Sequence, residues 1–416
     1  MARKIAVIGA GIVGVSTAIW LRRDGFDVTL IDREGPAAGT SYGNGGVLAS
    51  CACVPVTGPG LVRKAPRMAL DPNQPLFLKW SYLPKIAPWL VKYLRHANEP
   101  DTRRLAKAIA GVTLDSVAEH QALASGTGAE RWIVPSDYLY VYRNRKGFEA
   151  DALAWDIRRD AGITWEELTD AELTDADPTI SPEMRFAVKM PDHGRISDPG
   201  AYVAALCTHL EAIGGRFIRA DVEDIALEAG KVTGIRAGGE LIACDACVVA
   251  TGVWSGPLAE KLGVRVPLES ERGYHIELWG PSQTLRTPMM IAAGKFVATP
   301  MEGRLRLAGV VEFAGLDAPA SRPPFDLLKK YAHEAFPGLT WERTEEWMGH
   351  RPATSDSIPL IGEAPGVKGA WLGFGHQHIG LTAGPKTGRL LAQMIAGRKP
   401  NVDVGAYSPA RFAARK

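Results

Sequence analysis

The first 32 residues contain three apolar runs that differ in their spacing. "KIAVI" is nearly continuous, "IVGVSTAIWLRR" places its apolar residues at helical intervals, and "DVTLI" is again mostly apolar. Unbroken runs of this length are typical of parallel strands buried on both faces, and the run between them is typical of a packed helix. The pattern predicts a strand, a tight turn, a helix that stops at Gly25 and a second strand.

The pattern changes between about residues 55 and 130, where Pro, Trp and polar helix formers become frequent and no strand is evident. We interpret this stretch as a helical insertion. From 132 to 190, short strand-like runs such as "YLYVYRN" alternate with one polar helical run, "ADALAWDIRRDAG". This alternation predicts a mixed segment that does not continue the first parallel sheet.

The remainder of the chain returns to strand and helix order. Residues 198–215 predict an amphipathic helix that begins at Asp198 or Pro199, and "RFIRADVEDI" after it predicts one strand. After about residue 268 several alternating runs predict an antiparallel sheet. "GAWLGFGHQHIGLTAGPKTGRLLAQMIAG" predicts a strand, a glycine-rich turn and a last helix.

Charge and cysteine content narrow the class of partner. The chain has 48 Lys and Arg against 46 Asp and Glu, a formal charge of +2. Nothing in this balance favours nucleic acid, so we expect a small-molecule partner. Its cysteines, five in number, form no second pair at zinc-ligand spacing, and the N-terminus lacks a secretory signal pattern. We therefore expect a cytoplasmic protein with free thiols and no metal site.

"GAGIVG", residues 9–14, lies between the first strand and the first helix. Gly9 permits the tight turn, Gly11 permits close approach of a pyrophosphate, and Gly14 permits close packing of helix and strand. Ile12 and Val13 open the helix, whose N-terminus favours phosphate. Asp32 ends the second strand, where a carboxylate accepts hydrogen bonds from a ribose. The segment predicts a dinucleotide site.

The residues after Asp32 favour FAD over NAD. An NAD dehydrogenase continues its sheet directly, whereas "REGPAAGTSYGNGG" supplies small residues and backbone donors along which an extended FAD can lie. "DACVVATGVWSG" offers a second strand end with small residues. We predict further cofactor contacts in both segments and in the intervening run "RFIRADVEDI". They are Arg33, Ser41, Asn44, Gly45, Gly46, Val222, Thr251 and Gly252.

These elements predict an α/β fold with two domains. The Rossmann-type FAD-binding domain consists of residues 1–54, 195–268 and 351–400. An α+β substrate domain built on the antiparallel sheet is inserted as residues 55–194 and 269–350.

"GAGIVG" with Asp32, "TSYGNGG", "ATGVWSGPLAEKLG", "GHRPATSDSIPLIG" and "GFGHQHIGLTAGPKTGRLLAQMI" occur in this order over nearly the whole chain. Together they resemble the FAD-dependent amine and amino-acid oxidoreductases, the group of D-amino acid oxidase, glycine oxidase and sarcosine oxidase. The likeness is greatest to the bacterial D-amino acid dehydrogenase type, small subunit. The resemblance implies that the last turn contacts the flavin through Gly375, Gly380, Leu381 and Thr382.

Three residues are candidates for the substrate site, and the same resemblance supports the comparison for Arg351 and His378. Arg351 matches the arginine that pairs with the substrate carboxylate in glycine oxidase. Tyr274 could add a hydroxyl to that carboxylate, while sheet packing is the alternative; His275 should face the opposite side of the strand. His378 stands where glycine oxidase has an arginine, which disfavours glycine as substrate. The C-terminal third lacks the cysteine that tethers flavin in monomeric sarcosine oxidase, so noncovalent FAD is expected.

The expected reaction is oxidative deamination of D-amino acids to 2-oxo acids and ammonia, by hydride transfer from Cα to flavin N5, with no side-chain base required. Oxidation of a secondary amine or imino acid, such as D-proline, hydroxyproline or sarcosine, is the first alternative. A non-catalytic or tRNA-modifying flavin-binding protein is the second.

The reduced flavin can pass its electrons either to oxygen or to a quinone, and the sequence leaves both alternatives open. Residues 75–94 combine aromatic side chains with lysines, a mixture that suits peripheral contact with the inner membrane as well as a helical cover over the substrate domain.

Overall fold

The computed structural model describes residues 2–63, 71 and 73–413. The β-strands of this part of the chain are β1 (Lys4–Ile8), β2 (Asp27–Asp32), β3 (Val47–Leu48), β4 (Leu76–Leu78), β5 (Ile133–Tyr142), β6 (Glu166–Thr169), β7 (Phe186–Ile196), β8 (Arg216–Arg219), β9 (Val222–Glu228), β10 (Lys231–Ala237), β11 (Glu240–Ala243), β12 (Ala246–Val249), β13 (Leu268–Trp279), β14 (Met289–Ile291), β15 (Phe296–Met301), β16 (Arg304–Phe313), β17 (Arg343–Thr354), β18 (Leu360–Glu363) and β19 (Ala370–Phe374).

The α-helices with described bounds are α1 (Ile12–Arg23), α2 (Leu83–Leu94), α3 (Glu99–Thr113), α4 (Ser116–Ala124), α5 (Arg145–Glu149), α6 (Ala152–Asp160), α7 (Asp170–Ala176), α8 (Pro199–Ala212), α9 (Ser255–Lys261), α10 (Arg322–Ala335) and α11 (Gly380–Ile395). Short 3₁₀ helices occur at Trp80–Tyr82, Glu130–Trp132, Gly252–Trp254, Gln377–Ile379, Gly405–Tyr407 and Pro409–Phe412.

A six-stranded sheet forms the first layer, in the order β18-β19-β12-β1-β2-β8. β1 pairs in parallel with both β2 and β12, as the predicted strand-helix-strand unit requires. Helices α1, α8 and α11 cover one face, and a three-stranded sheet of β11, β10 and β9 covers the other. Both faces are therefore buried, which explains the continuous apolar runs in the sequence.

Helices α1 and α11 approach each other closely because glycines face the contact. A Cβ on Gly388 would lie 2.6 Å from the backbone nitrogen of Thr17, and a Cβ on Gly384 would lie 2.8 Å from a side-chain carbon of Ile12. This packing joins the first and last helices, so the N-terminal motif and the C-terminal turn lie at one end of the sheet.

The second layer is a larger sheet with the main order β17-β13-β16-β15-β14-β5-β7-β3. Most of its pairs are antiparallel, as predicted, although β14 pairs in parallel with β5 and β16 in parallel with β4. Helix α10 packs its buried Phe325 and Leu328 against Tyr274 and Ile276 on one face of β13. The opposite face of this sheet turns towards the six-stranded sheet.

Several details differ from the sequence-based expectations. The run predicted as one strand after α8 is divided into β8 and β9, which belong to different sheets. The helical insertion contains the short strand β4, and its residues 64–70 and 72 lie outside the described residues. The predicted domain boundaries at 194/195 and 350/351 fall inside β7 and β17, both strands of the larger sheet. Arg351 is therefore presented by the larger sheet.

The inner face of α2 covers the larger sheet near the end of β17. Ile86, Trp89 and Tyr93 are buried there, and the Trp89 indole donates a hydrogen bond to the Ala353 carbonyl at 3.3 Å. The helix is thus a cover for this part of the fold. Among the described residues, no helix is long and apolar enough to cross a membrane.

Candidate functional site

The turn between β1 and α1 has a backbone that only glycine allows. Gly9 has a φ of +103°, and a Cβ on it would lie 2.5 Å from the Ala250 carbonyl oxygen. A Cβ on Gly14 would overlap the carbonyl oxygen of Gly9. Gly14 therefore holds the helix against the turn, while Gly9 and Gly11 leave a cradle in front of the N-terminus of α1.

Side chains on either side of this cradle are fixed by backbone donors. The Asp32 carboxylate accepts hydrogen bonds from the N–H groups of Ala10 at 2.8 Å, Glu34 at 2.8 Å and Gly35 at 2.9 Å. The Ser41 hydroxyl accepts from the N–H of Ile12 at 2.9 Å. Asp32 keeps lone pairs free at the cavity wall, as a ribose acceptor requires.

A cavity of about 360 Å³ extends from this cradle along the ends of the strands. The predicted contacts that line it are Gly9, Gly11, Ile12, Val13, Asp32, Arg33, Ser41, Asn44, Val222, Thr251, Gly252, Gly380 and Leu381. Gly14 lies behind the turn, and Gly46 and Gly375 shape the backbone without lining the cavity. The sequence analysis missed Trp254, although it follows Gly252 closely; the Arg33 guanidinium lies 4.4 Å from its ring centre.

Residues 42–46 are held against the larger sheet by their carbonyl oxygens, each of which accepts a hydrogen bond. Arg306 donates to the carbonyls of Tyr42 and Asn44, and His275 donates to that of Gly43. Thr299 donates to the Gly45 carbonyl, and the backbone N–H of Ile196 donates to the Gly46 carbonyl. With the carbonyls turned to the sheet, the other edge of this loop is left for a ligand.

The arginine that holds two of those carbonyls is buried together with its counter-ion. Arg306 and Arg304 both donate to the Glu277 carboxylate, at 2.9 Å and 2.8 Å from their Nε atoms. The two guanidiniums lower the pKa of Glu277, although burial acts in the opposite direction. Glu277 therefore stays charged and fixes the Arg306 side chain that positions the loop. No motif in the sequence identified this cluster.

A second cavity, of about 510 Å³, adjoins the first. Thr40, Asn44 and Gln377 line both cavities, so the two spaces meet at these residues. Among the predicted cofactor contacts, Gly45 and Thr382 line the second one. The remainder of its wall is largely apolar and aromatic. A long ligand held at the cradle would therefore reach the border of the second cavity.

The C-terminal turn closes this border. Gly375 has a φ of +89°, Gln377 has a φ of +49°, and α11 begins directly afterwards at Gly380. The first N–H groups of α11 are therefore directed to the border, where their partial positive charge favours an electron-rich group. The His376 ring turns away from it and makes a hydrogen bond of 2.9 Å with the Thr387 hydroxyl.

Arg351 lies in the second cavity with its guanidinium against the backbone of β13. A Cβ on Gly273 would lie 2.6 Å from Arg351 Nε, so only glycine leaves room for this side chain. Among the described residues, Arg351 has neither a hydrogen-bond partner for its guanidinium nor a carboxylate within ion-pair distance. A half-buried guanidinium with its donors free is a site for a carboxylate.

His378 also lines the second cavity, and its side chain is exposed to that space. Desolvation by the protein around the cavity, and then the positive charge of Arg351, lower the pKa of the His378 imidazole to about 4. The ring is therefore neutral at pH 7, with a donor and an acceptor available to a ligand.

Tyr274 belongs to the wall of the second cavity, but its hydroxyl is already engaged in hydrogen bonds. Its hydroxyl donates to Glu312 at 2.5 Å and accepts from the N–H of Ser321 at 3.0 Å, on the side of the sheet that α10 covers. The sequence analysis correctly placed Tyr274 and His275 on opposite faces of β13. On the other face, His275 binds the Gly43 carbonyl and stacks on Trp347 at 5.1 Å between ring centres.

The cradle, the fixed acidic side chain and the adjoining second cavity form the arrangement expected of a flavin-dependent oxidoreductase. A family model described as FAD dependent oxidoreductase, DAO, matches residues 4–394. The chain belongs to this family. Its cofactor is FAD, and it is an amine or amino-acid oxidoreductase.

Relatives agree with this assignment over the full length. The chain is 38% identical over 417 residues to a D-amino-acid oxidase of Bradyrhizobium diazoefficiens, a match that covers 99% of each chain. The fold is similar to that of a glycine oxidase from Geobacillus kaustophilus, with a TM-score of 0.75, 20% identity and coverage of 99% and 100%. It is also similar to an L-proline dehydrogenase from P.horikoshii, with a TM-score of 0.74, 18% identity and coverage of 99% and 98%.

We expect acid precipitation of the purified protein to leave the yellow colour in the supernatant. All five cysteines are buried, and none of them lines either cavity, so no thiol is available to the flavin. Absorbance at the flavin maximum in pellet and supernatant measures the outcome. Colour that remains with the pellet would indicate a covalent link through another side chain.

Proposed function

We propose that this protein oxidises the Cα–N bond of D-amino acids, giving imino acids that water hydrolyses to 2-oxo acids and ammonia. The observation that carries the proposal is the Arg351 guanidinium, which faces the second cavity without a partner among the described residues. The 38% identity to a protein named D-amino-acid oxidase supports the choice of substrate class.

In this mechanism the protein binds and orients the amino acid. Arg351 holds the carboxylate through two parallel hydrogen bonds, which fix the orientation of Cα as well as its position. Neutral His378 adds no second positive charge beside it. Bound FAD supplies the hydride acceptor. The amine must be neutral when the hydride leaves, because its lone pair forms the C=N bond.

The size of the cavity favours a substrate with a side chain. Beyond Arg351, aromatic and apolar residues such as Tyr138, Tyr140 and Val54 line the cavity of about 510 Å³. This space exceeds what glycine fills, and it accommodates the side chains of larger amino acids.

Anaerobic mixing with single substrates tests the proposal. D-Amino acids should bleach the flavin absorbance, and their L-isomers should not. D-Proline, hydroxyproline and sarcosine belong in the same panel, since faster bleaching by these secondary amines would move the assignment to that class. An enzyme that none of these compounds bleaches would refute amino-acid oxidation at this site.

We further propose that the outer face of α2 and the turn before it form a membrane-contact surface. Its apolar members are Trp80, 55% exposed, Leu83, 36% exposed, and Val91, 54% exposed. Lys79, Lys85 and Lys92 are exposed on the same segment. Aromatic and apolar side chains beside lysines suit the headgroup region of an anionic bilayer. Contact there would bring the reduced enzyme to a quinone.

The protein is therefore expected to sediment with vesicles that contain phosphatidylglycerol. Replacing both Trp80 and Leu83 by serine should weaken this binding at least about tenfold, because two large apolar side chains no longer enter the bilayer. Leu241→Ser is the matched control, since Leu241 is also 55% exposed but lies on β11, away from this surface. Reduced enzyme should react slowly with oxygen and quickly with a quinone. Rapid peroxide production without vesicle binding would identify an oxidase instead.

A further inference from the structure

Glu271 is a second ionisable group in the cavity that holds Arg351. It lies on β13 directly opposite Arg351 of β17, and directly paired residues of antiparallel strands point to the same face. Glu271 is only 5% exposed and lines the second cavity. Within the described part of the chain, its carboxylate has no hydrogen-bond partner and no cation within ion-pair distance. A buried carboxylate without a partner is costly unless a ligand provides one.

Burial, and then the neighbouring charged groups, determine the pKa of this carboxylate. Arg351 faces it from β17, Glu269 precedes it on the same face of β13, and Tyr93 of α2 lines the same cavity. Burial raises the pKa of Glu271 to about 7; Arg351 opposes the rise, and Glu269 adds to it. Neutral His378 contributes no further charge. Glu271 thus gains or loses a proton near neutral pH.

We propose that Glu271 binds the α-ammonium of the substrate and accepts one of its protons. The inference rests on the proposed oxidation of amino acids, whose carboxylate lies on Arg351. In the step, an N–H bond of the ammonium breaks, an O–H bond forms on Glu271, and the electron pair stays on nitrogen. The proton leaves to water when the product is released.

The spacing of the two strands fits this arrangement. Directly opposed residues of an antiparallel pair have Cβ atoms about 4.5–5.5 Å apart, and both side chains here extend into one cavity. The carboxylate and the ammonium of an amino acid are attached to the same carbon. A single substrate can therefore touch Arg351 and Glu271 together, and the zwitterion matches one cation and one anion.

Glu271→Gln tests the proton transfer through the pH dependence of kcat/KM for a D-amino acid. The wild type should be level above about pH 7 and fall tenfold per pH unit below it, as Glu271 becomes protonated. Because the glutamine of the variant cannot accept a proton, turnover should require substrate molecules whose α-amine is already neutral, and these are a small fraction at pH 7. Its kcat/KM should therefore keep falling tenfold per unit below the pKa of the substrate ammonium, with a loss of about 100-fold at pH 7.

Glu269→Gln is the matched control. Glu269 lies two residues away on the same face, but its carboxylate already accepts hydrogen bonds from the Tyr82 hydroxyl at 3.1 Å and from the N–H of Ser270 at 2.8 Å. This variant should keep the level region and the tenfold fall per pH unit, with the inflection moved only to lower pH because Glu269 no longer raises the pKa of Glu271. It should not show the continuous fall expected of Glu271→Gln.

Binding of benzoate, followed by tryptophan fluorescence, separates the proposal from a merely structural role. Benzoate has the carboxylate but no ammonium, so Glu271→Gln should bind it at least as tightly as the wild type. If Glu271 only held Arg351 in place, the variant would bind benzoate more weakly and would keep the wild-type pH profile, which would overturn the inference. A wild-type enzyme that no D-amino acid reduces would instead refute the proposed function itself.

Discussion

Replacing Arg351 by alanine is expected to raise the Michaelis constant for D-amino acids by roughly 30-fold to several thousand-fold. The guanidinium is the partner of the substrate carboxylate in the proposed complex, and its removal leaves that carboxylate desolvated and unpaired, at a cost of about 2–5 kcal/mol. The effect should be confined to substrate binding and turnover. Flavin content should not change, because Arg351 lines the second cavity and not the first.

Two further variants control this experiment. Arg351→Lys keeps the charge but loses the planar pair of donors, so its Michaelis constant should lie between those of the wild type and the alanine variant. Arg343→Ala removes an arginine from the exposed end of the same strand, where it pairs with Glu345, and should leave the constant unchanged. Equal Michaelis constants for the wild type and Arg351→Ala would exclude Arg351 as the carboxylate site.

Gly14→Ala is expected to abolish flavin binding or to unfold the cofactor domain. The added Cβ would overlap the Gly9 carbonyl oxygen, a backbone atom that can move only if α1 separates from the turn. Overpacking of a rigid interior typically costs about 1–3 kcal/mol, and a clash with backbone belongs at the upper end of that range or above it. Flavin absorbance per polypeptide and the thermal unfolding midpoint measure the two effects.

Gly256→Ala provides the comparison in the same domain. Gly256 lies in α9, and a Cβ on it would meet no atom within 4 Å. Alanine has the higher helix propensity, so this variant should bind FAD normally and unfold at the same temperature or slightly above it. Normal flavin content and stability in Gly14→Ala would contradict the close packing of α1 on the turn.

Arg351 and Glu271 lie on neighbouring strands of the larger sheet, β17 and β13, whereas the flavin cradle lies at the end of β1 in the six-stranded sheet. The loop of residues 42–46 joins the two, since its carbonyls are bound by the larger sheet while its neighbours line the cofactor cavity. Hydrogen bonds from Arg306, His275 and Thr299 therefore hold this loop between the larger sheet and the cofactor cavity.

The sequence was sufficient to predict the cofactor and to single out Arg351 as a candidate because these signals are local. The glycines at 9–14, Asp32 and the flanking strands and helix lie within one contiguous unit, whose geometry follows from spacing and backbone freedom alone. Arg351 was likewise identified from the contiguous segment "GHRPATSDSIPLIG" by its resemblance to a known family.

The face of β13 that meets the cavity could not be predicted in this way. Alternation places Tyr274 and His275 on opposite faces, but nearly every residue of this strand is buried, so the pattern does not distinguish the cavity side from the side under α10. The pattern alone therefore left open whether the Tyr274 hydroxyl faces the substrate carboxylate or packs within the sheet.

Tertiary structure alone decided which distant residues share the cavities. Glu271 meets Arg351 only through the register of β13 with β17, and Arg306 reaches the Tyr42 and Asn44 carbonyls across more than 260 positions of sequence. Strand register and the insertion of segments create these contacts, and no short sequence pattern identifies the residues that they bring together. The chain by itself therefore determined which cofactor is bound, whereas the packing of the two sheets determined which side chains line the second cavity.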